Sequence, residues 1–229
     1  MNNDTAQDNT AQRDTPRSDT AQSDTAREWD ERYRSHDQLF SGNPNGVLVA
    51  EVGELPPGQA LDVGCGEGGD ALWLARRGWQ VTAVDVSEVA LRRAAVAGAD
   101  VQGRVSWAQA DLAVTPPPAG AFDLVTVQYF PLLRSSGSST LRGLVDAVAP
   151  GGTLLFATHA LADLTEHTEA TAEFDPADYY WADDVAAFLA DDGEGAWKIQ
   201  ANETRPRTAP APPGTHHHRD TVLRAQRTA

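Results

Sequence analysis

The chain has 229 residues, 41% of them apolar, and a formal charge of −15, which suits one domain with a real core plus a tail and argues against nucleic acid or an anionic membrane surface as partner, since phosphates need a basic footprint. Its single cysteine, Cys65, excludes an internal disulfide and a cysteine-only metal site. No apolar run approaches the ~20 residues of a membrane span, and the N-terminus has neither the basic nor the apolar region of a secretion signal, so a cytoplasmic protein acting on a small neutral or cationic molecule is expected.

Residues 1–27 repeat a short unit, from Asp4-Thr-Ala-Gln to Asp24-Thr-Ala-Arg. With no large apolar residue beyond Met1, the repeat cannot offset its ordering entropy. A disordered tail is expected there, and a folded domain over 28–229. Residues 26–35 read as a helix with Trp29 and Tyr33 on one face. Pro44 opens a second helix through about Glu54, broken by Pro56-Pro57-Gly58. Ala60–Val63 is then a buried strand, Asp70–Gly78 a helix stopped by Gly78, and Gln80–Val84 a second strand. Ser87 has the chemistry of an N-cap for a helix running to Gly98. Val105–Ala108 and Phe122–Val127 are further strands, 138–148 a helix, and Pro150-Gly151-Gly152 a turn into a fifth strand, Thr153–Thr158. Strands separated by helices imply a parallel sheet with right-handed crossovers. After a helix over Ala182–Leu189, Trp197–Glu203 and Asp220–Gln226 are strand-like with no helix between them, which predicts an antiparallel hairpin at the sheet edge.

Chemistry is concentrated in the first of these βαβ units. Residues Ala60–Asp70 read ALDVGCGEGGD, and the next apolar stretch, VTAVD, closes on Asp85. A strand entering a glycine-dense turn, then a helix, then a strand ending in a carboxylate is an arrangement that holds an adenosine. The glycines let the main chain approach a ligand closely, and Asp85 can accept hydrogen bonds from both ribose hydroxyls. Gly64-Cys65-Gly66-Glu67-Gly68-Gly69 also satisfies the dinucleotide pattern G-x-G-x-x-G, but Asp62 and Glu67 would repel a pyrophosphate. S-adenosylmethionine, with a sulfonium and an ammonium, tolerates such acids. Asp62 is expected to act on its methionine end, with Gly64 and Gly66 giving close approach. Cys65 is expected to be a small residue that fits the loop rather than a nucleophile, since no partner base or ligand set accompanies it.

The stretch LDVGCGEGGDALWLARRGWQVTAVDVSEVALRRA resembles the first two motifs of class I S-adenosylmethionine-dependent methyltransferases, and with the terminal hairpin the likeness covers about residues 28–227. It implies an α/β fold: a Rossmann-like, seven-stranded, mostly parallel sheet with a C-terminal antiparallel hairpin and helices on both faces. It also implies S-adenosylmethionine as cofactor, Val86 against the adenine face, Asp111 accepting from the adenine amino group and the backbone of Leu112 facing the ring. Trp29, Tyr33 and Phe40 have the spacing of the N-terminal segment of thiopurine S-methyltransferases, which in that family folds over the cofactor. The run WDERYR is similar to methyltransferases linked to tellurite resistance.

The carboxyl ends of the strands line the crevice of an open α/β sheet, so Gln128-Tyr129-Phe130 should border both cofactor and acceptor. Tyr129 is a candidate to orient or deprotonate an acceptor. His159, ending the fifth strand, is the candidate general base, its ordinary pKa being near neutral. His216-His217-His218 are adjacent, so on a strand they alternate faces and cannot all hold one ion; no metal site is expected. Between Asp163 and Asp184, several acids accompany Tyr179-Tyr180-Trp181, a set able to cup a cationic or thiol-bearing molecule. The expected activity is direct methyl displacement onto a small-molecule acceptor through sulfur, oxygen or nitrogen, a thiol slightly favoured. A non-catalytic S-adenosylmethionine-binding protein and a nicotinamide-dependent reductase are the alternatives. Oligomeric state leaves no mark in the sequence.

Overall fold

Ser23 starts the first helix. Its hydroxyl accepts from the Ala26 N–H at 3.2 Å, so α1 spans Asp24–Arg34 and takes in the last repeat unit, which the repeat alone assigns to the tail. The computed structural model describes residues 23–167, 175–193, 196–208 and 217–228. Residues 1–22 of the expected tail, His216 and residues 168–174 of the acidic insert lie outside them.

The second helix, α2, spans Gly46–Val52 rather than starting at Pro44. Asn45 is held by a neighbour instead: its N–H and its side-chain amide donate to the Asp70 carboxylate at 2.6 and 2.9 Å. Strands and helices then alternate as β1 (Gln59–Val63), α3 (Gly69–Arg76), β2 (Gln80–Asp85), α4 (Glu88–Ala97), β3 (Val105–Gln109), β4 (Phe122–Gln128), α5 (Ser138–Ala147) and β5 (Val148–His159). After these come α6 (Leu161–His167), α7 (Ala182–Asp191), β6 (Trp197–Pro206) and β7 (Arg219–Arg227). Ser87 caps α4, accepting from the Ala90 N–H at 3.1 Å. β5 is longer than Thr153–Thr158 because Pro150-Gly151-Gly152 stays within the strand. Gly151 takes φ +80°, and a register shift between Phe122 and Leu124 on β4 absorbs the irregularity.

The strands form one sheet in the order β3-β2-β1-β4-β5-β7-β6. β1 to β5 run parallel, and β7 runs against both its neighbours. Both faces are covered, which follows from the two-residue period of apolar strands. Leu61, Val125, Val127 and Phe156 pack against α5 and α7 through Leu144, Val145, Val185 and Leu189. On the other face Ala60, Leu124, Leu155 and Val222 meet α2 and α3 through Leu48, Val52 and Leu74. The chain adds β2 and β3 on one side of β1, then returns to place β4 on the other. That reversal opens a crevice at the carboxyl ends of β1 and β4, where the glycine loop, Asp85 and Tyr129 come together.

Candidate cofactor and acceptor site

Beyond β1 the chain turns sharply back across β2. The N–H groups of Gly64 and Cys65 both donate to the Val84 carbonyl, at 2.8 and 3.0 Å. Gly64 and Gly66 take φ +67° and +53°, a region that disfavours side chains. Space forbids them as well: a Cβ on Gly64 would stand 2.6 Å from the Phe130 ring, and one on Gly66 would stand 2.9 Å from the Tyr33 hydroxyl. Asp85 is fixed by the loop and by α4, its two oxygens accepting from the Gly66 N–H at 2.9 Å and the Ser87 N–H at 2.8 Å. Each oxygen keeps further acceptor capacity. Burial raises the Asp85 pKa, and these backbone donors pull it back. The Ala110 N–H donates to the Asp85 carbonyl, which brings the end of β3 alongside.

Asp62 is 2% exposed, and one of its oxygens has no hydrogen-bond partner among the described residues. Asp62 pairs in register with Thr126 on β4. Two residues farther along β4 and on the same face, Gln128 donates to the Thr126 hydroxyl at 3.0 Å and leaves its own carbonyl oxygen unpartnered and buried. Burial, then the charge of Asp70, holds the Asp62 carboxyl well above the usual range. Asp70 is itself raised to about 6 by burial, against the pull of Asn45. Unpartnered buried acceptors behind a glycine cradle suit a ligand carrying an ammonium, and Asp85 suits a ribose; S-adenosylmethionine fits this set of acceptors. Burial and Asp62 push the Cys65 thiol up, so it stays protonated and inert.

The remaining cofactor candidates are spread around this centre. Val86 is half-buried, its carbonyl accepting from the Gln109 amide at 2.9 Å. Asp111 folds back on itself, accepting from the Ala113 N–H at 2.9 Å, and the Leu112 side chain enters the core. Tyr33 is buried over Gly66, with Trp29 and Phe40 on either side at ring distances of 6.0 and 6.1 Å. Trp29 packs against the small cluster of Tyr33, Val89 and Ala90. Burial and Asp85 keep the Tyr33 phenol protonated.

Two anchors of this N-terminal strap were not read from the sequence. Asp30, 1% exposed, accepts from the Ser87 hydroxyl at 2.6 Å and the Val89 N–H at 3.1 Å, while Arg34 donates to its other oxygen at 3.0 Å. Its signal was present: Ala26, Asp30 and Tyr33 form the buried stripe of α1, an odd place for an acid. Glu67 requires a correction. It is not a free charge facing the cofactor, since its carboxylate accepts from the N–H groups of Leu39 and Phe40 at 3.1 and 3.0 Å and pairs with Arg93 at 2.9 Å. The acid that remains behind the loop is Asp62.

Tyr129 and His159 do meet, their rings 4.5 Å apart at the ends of β4 and β5. Tyr129 has φ +54°, the one positive value on a non-glycine among the described residues. Neither group is poised to take a proton. Burial, then the charge of Asp220, raises the pKa of the Tyr129 phenol. His159 Nδ1 lies 3.0 Å from Arg207, a donor only, so that nitrogen is the acceptor. Burial, the stacked His217 ring 4.0 Å away and Arg207 lower the His159 pKa to about 3. Against the general-base expectation stand two observations: His159 Nδ1 is occupied by Arg207, and the lowered pKa makes the ring a weak base. Arg207 and Asp220, joined at 3.0 Å, come from the terminal hairpin and were not read from the sequence. His218 donates its N–H to Asp163 at 2.8 Å. Among the described residues no group of three or more histidines, cysteines and acids can hold a metal.

Beside Tyr129 lies a cavity of about 180 Å³, lined by Phe130, Leu132, Thr158, Tyr180 and Trp181 among others. No acid of the insert is among its described lining residues. Asp184 accepts from the Trp181 N–H at 2.9 Å and pairs with Arg134 at 2.6 Å, and Asp175 accepts from the Ala177 N–H at 2.8 Å. The described lining of the expected cup is therefore aromatic. A shallower hollow of about 360 Å³, lined by Gly120, Asp146, Pro150 and Arg227, sits at the opposite end of the sheet, away from this chemistry.

Comparison with known proteins places these features among relatives. The profile of the family described as "Methyltransferase domain" matches residues 60–152. Malonyl-[acyl-carrier protein] O-methyltransferase of Pseudescherichia vulneris is 30% identical over 173 residues, 74% of this chain and 67% of that protein. An uncharacterized methyltransferase of Mycobacterium tuberculosis is 32% identical over 165 residues, 72% of this chain and 75% of that protein. Among solved structures, the N-methyltransferase NodS from Bradyrhizobium japonicum WM9, in complex with S-adenosyl-L-homocysteine, has the same fold, with TM-score 0.66 at 19% identity, covering 90% of this chain and 100% of that one.

Proposed function

Because this chain belongs to the class I S-adenosylmethionine-dependent methyltransferases, we propose that it methylates a small molecule whose acceptor atom arrives with its lone pair already free, a thiol foremost. Membership fixes the cofactor as S-adenosylmethionine and removes the nicotinamide alternative. When bound, that cofactor supplies a sulfonium methyl, whose bonding pair returns to sulfur as an acceptor lone pair takes the carbon. The chain's residues hold and align the reactants, the contribution expected when the methyl is already activated.

In this reading Asp85 accepts from the two ribose hydroxyls, and Gly64 and Gly66 let the main chain close on the ligand. Asp62 and Gln128 accept from the ammonium through the buried oxygens that lack partners. Val86, Asp111 and Leu112 border the adenine, and Tyr33, with Trp29 behind it, covers the loop. Cys65 fills space. Tyr129 and His159 shape the acceptor side without moving a proton. That point carries the proposal, because His159 Nδ1 accepts from Arg207, and burial with the charge of Asp220 raises the Tyr129 phenol. A thiolate needs no base. An oxygen acceptor is the second reading, favoured by the O-methyltransferase named among the relatives.

The charge of −15 supports a small molecule over nucleic acid. No helix among the described residues is long and apolar enough to cross a membrane, and a cytoplasmic place is part of the proposal. So is the division into a tail over 1–27 and a methyltransferase domain over 28–229. The test is an acceptor screen with S-adenosylmethionine, scored by S-adenosylhomocysteine and methylated product. Small thiols should turn over at rates that survive His159→Gln and Tyr129→Phe. Turnover confined to amines or alcohols and abolished by His159→Gln would refute the base-free reading.

A further inference from the structure

We propose that the cavity between the ends of β4 and β5 and the start of α7 receives a single aromatic ring, uncharged, with one hydrogen-bonding substituent directed at the Thr158 hydroxyl. This rests on the methyltransferase reading and names the class of acceptor for that site. The volume sets the size: about 180 Å³ is near the ~150 Å³ of an apolar cavity that takes one benzene. The walls set the shape. Phe130, Tyr179, Tyr180 and Trp181 line the cavity with Tyr129 at one end, and flat rings prefer the offset and edge-on contacts that such walls provide. Phe130 also fixes the position, because its ring is the one that a Cβ on Gly64 would strike, so the same side chain walls both the cavity and the cofactor loop.

Charge selects against a cation. Among the described residues no carboxylate lines the cavity, the face of Tyr180 is already covered by the Arg134 guanidinium at 4.5 Å, and Arg134 in turn neutralises Asp184. The polar demand comes from Thr158. It is 8% exposed, it lines the cavity, and its hydroxyl has no hydrogen-bond partner among the described residues. A buried hydroxyl left unpaired is costly, and a ligand that pairs it recovers that free energy. Of the neighbouring acceptors, His159 Nδ1 is already held by Arg207.

The experiment is calorimetric titration of the full chain, saturated with S-adenosylhomocysteine, with phenol, cyclohexanol, toluene and benzylammonium. Phenol should bind roughly fivefold more tightly than cyclohexanol, from ring contacts alone, and benzylammonium should bind most weakly. The isosteric Thr158→Val should weaken phenol by roughly three- to tenfold and leave toluene unchanged, a contrast that a folding defect would not produce. Equal binding of phenol and cyclohexanol, preference for benzylammonium, or phenol affinity indifferent to Thr158→Val would each overturn the proposal. Failure of S-adenosylhomocysteine to bind would instead sink the cofactor reading beneath it. Its binding without that of phenol would sink the aromatic acceptor alone.

Discussion

At Gly64 one methyl group suffices to break the site. The residue sits at φ +67°, and an added Cβ would meet the Phe130 ring at 2.6 Å. Gly64→Ala should lower stability by about 1–2 kcal/mol from the backbone alone and weaken S-adenosylhomocysteine binding by more than tenfold, seen by denaturation and calorimetry; unchanged affinity would show that the loop does not approach the ligand. His159 makes the opposite prediction. With its pKa near 3 and Nδ1 accepting from Arg207, it has no proton to gain at neutral pH. His159→Gln should therefore leave the pH–rate profile between about pH 6 and 8 unaltered. The contrast explains what could be read in advance. Gly64, Gly66 and Asp85 act through chain geometry that the run of residues itself encodes. His159 is disarmed by a partner 48 residues away, on a hairpin whose side-chain directions no local pattern gives.

Among the elements, the N-terminal strap depends most on a few bonds. Asp30 ties α1 to the first turn of α4, accepting from the hydroxyl of its N-cap Ser87 and from the orphan N–H of Val89. Asp30→Ala should cost about 1–3 kcal/mol in chemical denaturation and speed release of bound S-adenosylhomocysteine, because Tyr33 over Gly66 would lose its hold. Asp30→Asn, which keeps an acceptor, should lose less. Equal losses in the two variants would mean that charge, not the hydrogen bonds, holds the strap. Nearly all strands and helices were legible as apolar runs between glycine and proline breaks. The misplaced boundaries have tertiary causes: Asn45 belongs to Asp70 before it can cap α2, and Pro150-Gly151-Gly152 is drawn into β5 by pairing with β4. Glu67 was misread for the same reason, since its partners Leu39, Phe40 and Arg93 lie elsewhere in the chain.

For the whole molecule, the buried titratable groups make stability depend on pH with opposing signs. Unfolded, His159 takes a proton near its ordinary 6.5, whereas folded it does so only near 3, so its contribution is full above about 6.5 and lost as pH falls through that window. Asp70 works the other way: raised to about 6, it binds a proton in the folded chain before the unfolded chain does at 3.8, so acidification through that range adds stability. His159→Gln should thus flatten the fall in Tm between about pH 6.5 and 4; an unchanged slope would contradict the buried, neutral imidazole. The crevice itself is set by the strand order, while the alternation of elements had implied only a parallel sheet with an edge hairpin. The central claim is that this crevice holds an adenosyl cofactor on Asp85, and calorimetric titration of the full chain with S-adenosylhomocysteine, with Asp85→Ala alongside, tests it most directly. Two charge-assisted hydrogen bonds of about 1.5–3 kcal/mol each predict tight binding to the wild type, weakened by roughly a hundredfold or more in the variant. Equal binding by both proteins, or none by the wild type, would contradict it.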